Sequence, residues 1–174
     1  HGMGIYVGCP VVYKPAFQEL CGHKVTGTAV DNRGACTALV EIARQLKETP
    51  PSCDVYLVGT VWEEFNLRGA MMAARTVKPD LAIVFEGCPA DDTVAEPYMI
   101  QTAIHKGPML RHIDARMITN PRFQRYALDL AEELGIPVQE SVRTGGSTNG
   151  APIHLSNQGV PVIVIGIPVR YIHT

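Results

Sequence analysis

Along residues 33–47 the apolar positions Ala35, Leu39, Ile42 and Leu46 recur at the spacing of one helix face, and this predicts a helix there. Asp31 or Asn32 stands where an N-cap would sit, and "PPSCD" ends the pattern. The next segment, "VYLVGTVW" at 55–62, is continuously apolar and β-rich, as strands covered on both faces are. "LRGAMMAARTV" returns to helical spacing, and "LAIVFEG" predicts a second buried strand. "PRFQRYALDLAEELG" puts Phe123, Ala127, Leu130 and Leu134 on one face, opens on Pro121 and closes on Gly135, the usual punctuation of a helix. "IPVQESVR" reads as a strand, "NGAPIHLSNQG" as a short helix and "VPVIVIGI" as a last buried strand. The opening stretch "GIYVGCPVVYKPAFQEL" mixes β-branched and aromatic residues with Gly and Pro, which predicts short strands broken by turns. Helices alternating with buried strands predict an α/β three-layer sandwich around a mostly parallel central sheet.

Composition narrows the partners. The 174 residues hold 15 basic and 17 acidic side chains, so no charge excess directs the chain to nucleic acid or a membrane surface. Cys9, Cys21, Cys36, Cys53 and Cys88 form no CxxC pair and are odd in number, which argues against a disulfide framework or zinc ribbon and for a reducing, cytoplasmic setting. The longest apolar run, at 160–169, is too short and too rich in proline to span a bilayer, and no signal-peptide pattern opens the chain. A start at His1 and a stop at "RYIHT" suggest a piece of a longer protein.

Open α/β sheets bind ligands beyond the carboxyl ends of their strands. Asp31 follows "GTAV", Glu63 and Glu64 follow the 55–62 run, Glu86 follows "LAIVF" and His173 follows the last strand, so four segments deliver carboxylate or imidazole to what could be one rim. These are ligand types for Zn²⁺, Co²⁺ or Mn²⁺, and an acid-rich cluster can hold two such ions through one bridging carboxylate. Neighbours on a regular strand face opposite ways, but where a strand ends one glutamate can bind metal while the other serves as general base. Each residue also has a plainer reading: Asp31 as a helix cap, Glu63 and Glu64 as solvated strand-end residues, His173 as a structural histidine. Glu86 is harder to set aside, because a carboxylate after five apolar residues risks burial without a partner. His105, His112 and His154 read as structural or surface residues, Cys36 and Cys88 as small core residues, Met71 and Met72 as packing, and Asp114 with Arg116 as a brace for the loop before the next helix.

"GTAVDNRGACTALVEI", "TVWEEFNLRGA", "PDLAIVFEG", "GGSTNGAPIHL" and "GVPVIVIGIPVRYIHT" together resemble the successive motifs of the tetrahedral (TET) aminopeptidases. This is a family of dinuclear-metal peptidases that takes in the deblocking and glutamyl aminopeptidases and is often labelled cellulase or endoglucanase. The resemblance implies a zinc-exopeptidase-like catalytic domain over residues 23–174, incomplete at both ends, with residues 1–22 as the end of a β-rich, PDZ-like dimerisation domain. It implies Glu63 as general base, Asp31 as the acid bridging two metals and followed by an often cis peptide bond, Glu86 as a further ligand of one ion, and Glu64 and His173 as ligands of the other. Many members carry Asp at the Glu86 position and tend to carry Asp at that of Asn149, which lies in a glycine-rich segment expected to line the substrate site. The family's remaining histidine ligand belongs to an H-x-D motif that these residues lack; His23 does not reproduce it. The implied protein is a cytoplasmic metallo-aminopeptidase, with two divalent ions (Zn or Co) per subunit, peptide substrates, and a dimer that builds toward a dodecamer. Two alternatives stay open: a carboxylate glycosidase, which needs two acids but no metal, and a metal-poor relative serving in binding or assembly.

Overall fold

The structure is a computed structural model that describes residues 2–173. A short antiparallel hairpin, β1 (Phe17–Leu20) and β2 (Lys24–Gly27), turns through Cys21–His23, so its pairing crosses the expected domain boundary at residue 22. Upstream of it residues 2–16 form turns and extended chain, with none of the strands foreseen there and no PDZ-like domain in view.

Helix α1 (Val30–Glu48) leads from this hairpin, and α2 (Arg68–Val77) precedes β3 (Ala82–Pro89). After β4 (Met109–Ile113) come α3 (Pro121–Glu133), β5 (Gln139–Val142), α4 (Gly150–His154) and β6 (Val162–Val169). The sheet order is β3-β6-β4-β5, with β3 and β6 parallel, β4 and β5 parallel, and β4 antiparallel to β6. This is the mixed α/β architecture with a mostly parallel sheet that the alternation of patterns predicts. Val162 and Val164 on the last strand, with Val160 just before it, pack with Val84, Leu67, Met117 and Ala151 as the core. Gly166 admits no side chain, since a Cβ there would lie 2.7 Å from that of Cys88 and 2.8 Å from the Met109 methyl. Among the described residues no helix is long and apolar enough to cross a membrane.

Three local expectations change, and one strand was not foreseen. The run 55–62 pairs with no strand, and Val55, Tyr56, Leu57, Val58, Val61 and Trp62 are all exposed. Its composition suits a covered strand, but among the described residues nothing covers it. The strand β4 has no apolar alternation to announce it, because Arg111 and His112 occupy its centre. Helix α3 buries Gln124 and Ala131 rather than Leu130 and Leu134, which are 38% and 61% exposed, so its packed face is rotated from the apolar stripe. Its start is as read, with Asn120 Oδ1 accepting from the backbone N–H of Arg122 and Phe123 just before Pro121. Cys88 is buried, whereas Cys36 lies exposed on α1.

Candidate metal centre

Asp31 sits at the head of α1, where the chain has not yet become regular helix. Ala29 is left-handed, Asp31 and Asn32 have non-helical dihedrals, and the Asp31–Asn32 peptide is cis. Asp31 therefore does not act as an ordinary side-chain cap; no cap hydrogen bond forms at this end. Its carboxylate lies against β3 at Gly87, where a Cβ would stand 2.6 Å from Asp31 Oδ1. Glycine is required here for space.

Glu63 and Glu64 occupy a tight turn. Trp62, Asn66 and Leu67 have positive φ, and the turn is closed by bonds from Leu67 N to Glu63 O (2.9 Å) and from Gly69 N to Val61 O (3.0 Å). The irregular backbone frees the two glutamates from strand alternation. His173, also at positive φ, follows β6 and brings its ring back over the same place.

The three segments meet: His173 Nε2 lies 3.3 Å from Asp31 Oδ2 and 3.3 Å from Glu64 Oε1. Asp31, Glu64 and His173 each present one donor atom within 4.8 Å of the others. Two carboxylates and an imidazole at that separation fit a divalent cation of the zinc type.

Glu86 lines the same cavity, but it stands outside this group of three. It leaves β3 on the side of Val84 and Cys88, buried to 4% exposure, while the neighbouring Gly87 faces Asp31. Both its oxygens accept hydrogen bonds: Oε1 from Asn149 N (3.0 Å) and Oε2 from Asn32 Nδ2 (3.1 Å). Asn32 Nδ2 also donates to Phe85 O at 2.9 Å, so this side chain ties the residue after Asp31 to the strand that carries Glu86.

The cavity, about 320 Å³, holds Asp31, Glu63, Glu64 and Glu86 together with Arg111, Arg116, Arg143, His173 and the segment Gly145–Thr148. Burial pushes the Glu63 carboxyl up to about 7, with Glu64 and Asp31 adding repulsion and His173 and Arg111 opposing it. Burial likewise pushes Glu86 up to about 8, against the hydrogen bond from Asn149 N. Crowded carboxylates that resist ionisation are the electrostatic setting that a bound cation would relieve. Sequence reasoning missed Arg111, whose buried pairing with Asp114 (3.3 Å) forms a wall of the cavity. It also missed Arg143, which binds Asp91 (2.9 Å), Thr102 and the carbonyl of Pro89. The only signal for Arg111 was its place amid apolar residues.

The whole chain, residues 1–174, matches the family described as M42 glutamyl aminopeptidase. A lysyl aminopeptidase of Pyrococcus furiosus is 31% identical over 174 residues, which cover 99% of this chain and 48% of the relative. The solved structure of aminopeptidase APDkam598 from Desulfurococcus kamchatkensis superposes with a TM-score of 0.90 at 32% identity, covering 99% of this chain and 49% of that one. The TET1 peptidase of Pyrococcus horikoshii, described as able to assemble into a tetrahedron or a large octahedral shell, gives a TM-score of 0.82 at 26% identity, covering 94% of this chain and 47% of its own. The chain thus spans about half the length of these relatives. Together the full-length family match and the shared fold place this chain in the M42 glutamyl aminopeptidase family.

Proposed function

We propose that this chain supplies the acid–imidazole cluster and the general base of a metal-dependent aminopeptidase that removes amino-terminal residues from peptides. The observation that carries the reading is the meeting of Asp31, Glu64 and His173 in one cavity with a carboxyl, Glu63, that burial holds near neutral pKa. Asp31, Glu64 and His173 would hold one divalent ion, Zn or Co, and Asp31 with Glu86 would contribute to a second. When bound, such ions act as Lewis acids on the scissile carbonyl and make water a competent nucleophile at neutral pH.

The protein's own groups do the rest. Glu63 takes the proton from the attacking water and returns it to the nitrogen of the leaving amine, so one carboxyl serves as base and then acid. A pKa near neutrality suits both halves of that cycle. Asn32 and the backbone of Asn149 fix Glu86, while Gly87 leaves Asp31 room to approach the strand. The glycine-rich segment 145–148 forms the side of the cavity where a peptide would lie. Assembly into dimers and larger closed shells, with a PDZ-like insertion mediating the pairing, is proposed on the likeness to the TET1 peptidase. A cytoplasmic setting is proposed on the free state of the chain's five cysteines.

The test is metal content together with release of amino acids from a panel of aminoacyl substrates, before and after chelation. Hydrolysis that vanishes with the metal and returns on adding Zn²⁺ or Co²⁺ is the expected result. Full activity in chelator would overturn it and favour a metal-free carboxylate hydrolase.

A further inference from the structure

Three arginines line the same cavity as the acids, and their pairing is unequal. Arg111 is committed to Asp114, and Arg143 to Asp91, at 3.3 Å and 2.9 Å. Arg116 has no carboxylate within ion-pair distance among the described residues; its Nη1 donates instead to Asn66 Oδ1 at 2.9 Å. Asn66 belongs to the turn that presents Glu63 and Glu64, so the bond tethers the guanidinium across the cavity, two residues from the metal-ligand candidate Glu64.

The tether is built from behind. Asp114 Oδ1 accepts from the backbone N–H of Arg116 (2.8 Å) while Oδ2 holds buried Arg111, whose Nε has no partner. A buried ion pair thus fixes the turn that carries Arg116. A guanidinium held by a neutral amide keeps most of its donors free, and its planar fork matches a carboxylate.

We propose that Arg116, positioned by Asn66 and by the Asp114–Arg111 pair, anchors a carboxylate-recognition subsite in this cavity. This rests on the aminopeptidase reading for what the carboxylate belongs to. It is either the acidic side chain of the substrate's amino-terminal residue or the free carboxyl terminus of a short peptide. An ammonium side chain would meet like charge at the same place, so lysyl substrates are disfavoured there.

The experiment uses the metal-loaded enzyme, wild type and Arg116→Gln, with two substrate pairs that differ only in charge. Glutamyl and glutaminyl anilides read the side chain; a dipeptide and its carboxyl-terminal amide read the terminus. The expected result is a preference of about tenfold or more in kcat/KM for the charged member of one pair, collapsing toward unity in Arg116→Gln. Which pair shows it names the source of the carboxylate. Asn66→Gly, chosen because that residue has a φ of 71°, should lower the same ratio by loosening the tether. A purely structural Arg116 would slow all substrates alike and leave the ratios unchanged, which overturns the proposal, as does a wild-type enzyme indifferent to both pairs. Should the metal-loaded protein hydrolyse nothing, the peptidase reading fails separately, and calorimetry with L-glutamate against L-glutamine, and with a dipeptide against its carboxyl-terminal amide, decides the subsite. Tighter binding of the charged member of either pair, lost in Arg116→Gln, supports it, and equal binding within both pairs overturns it.

Discussion

Replacing Gly87 with alanine adds one methyl group at the point where α1 meets β3. An ideal Cβ would stand 2.6 Å from Asp31 Oδ1, 2.8 Å from its Cγ and 2.9 Å from its Cβ. Ordinary contact begins at 3.4 Å, so the carboxylate must withdraw by about 0.8 Å. Metal ligands tolerate displacements of only about 0.2 Å before geometry fails, so a shift of this size takes Asp31 out of the cluster it forms with Glu64 and His173. Overpacking of this kind costs about 1–3 kcal/mol, which for a chain of this length lowers Tm by roughly 2–12 °C. Loss of the Asp31 ligand should weaken Zn²⁺ or Co²⁺ binding by at least about tenfold, the lower end of what disturbing a ligand's support brings. Metal titration by calorimetry reads the affinity, and thermal melting of the metal-free protein reads the packing cost. Gly59→Ala is the control, because a Cβ there meets nothing within 4 Å. A Gly87→Ala protein that binds metal as tightly as wild type would refute the reasoning: Asp31 would then not be a ligand.

Glu63→Gln should abolish turnover while metal content stays at the wild-type level, as measured by elemental analysis beside a rate assay; a near-normal rate would remove Glu63 from the role of base. His173→Ala should lower metal affinity by more than about tenfold with little change in the Tm of the metal-free protein, since its side chain is 61% exposed and packs little. The metal-free protein should grow more stable as pH falls from about 8 toward 5. Glu63 and Glu86 have folded pKa values raised above the unfolded 4.5, to about 7 and about 8, so the folded state binds more protons in that window and loses stability as pH rises through it. Saturating metal should flatten that slope, and a Tm that instead rises with pH over this range in the metal-free protein would contradict the assigned shifts. At lower pH the opposite case applies to Asp92, whose carboxyl the Arg170 guanidinium holds below its usual range. Stability from this pair is present above the ordinary carboxylate pKa and fades as pH falls, so Asp92→Asn should blunt acid unfolding.

How much of this was legible in the sequence depends on what each residue's pattern encodes. Strand β3 opens on the apolar run Ala82–Phe85, β6 on Val162–Ile165, and α3 carries Asn120 and Pro121 at its head, so local chemistry alone marks them. The acids and histidine at segment ends stood out because apolar runs deliver them abruptly, and three of the five side chains, Asp31, Glu64 and His173, meet. Strand β4 was hidden because Arg111 at its middle reads from the sequence as a surface residue, whereas it is buried in a pair with Asp114 three residues along the chain. The run 55–62 misled for the converse reason. Strand-forming composition states what a segment would gain from being covered, and pairing depends on a neighbour that the described residues do not provide.

The same contrast explains why the acids can be so close. Four carboxylates in one cavity repel, and regular elements would spread them over opposite faces. Each is instead held at an irregular point or by a fixed donor: Asp31 where α1 has not yet begun to coil, Glu63 and Glu64 in a turn of left-handed residues, Glu86 by N–H groups from two other segments. Backbone strain of this kind persists only where packing over-determines it. Here the packing is the valine core under β3 and β6 and the Arg111–Asp114 pair behind the cavity. Substitutions in that support, such as Asp114→Asn, should therefore shift metal affinity without touching a ligand. If affinity were unchanged while Tm fell, the pair would serve stability alone.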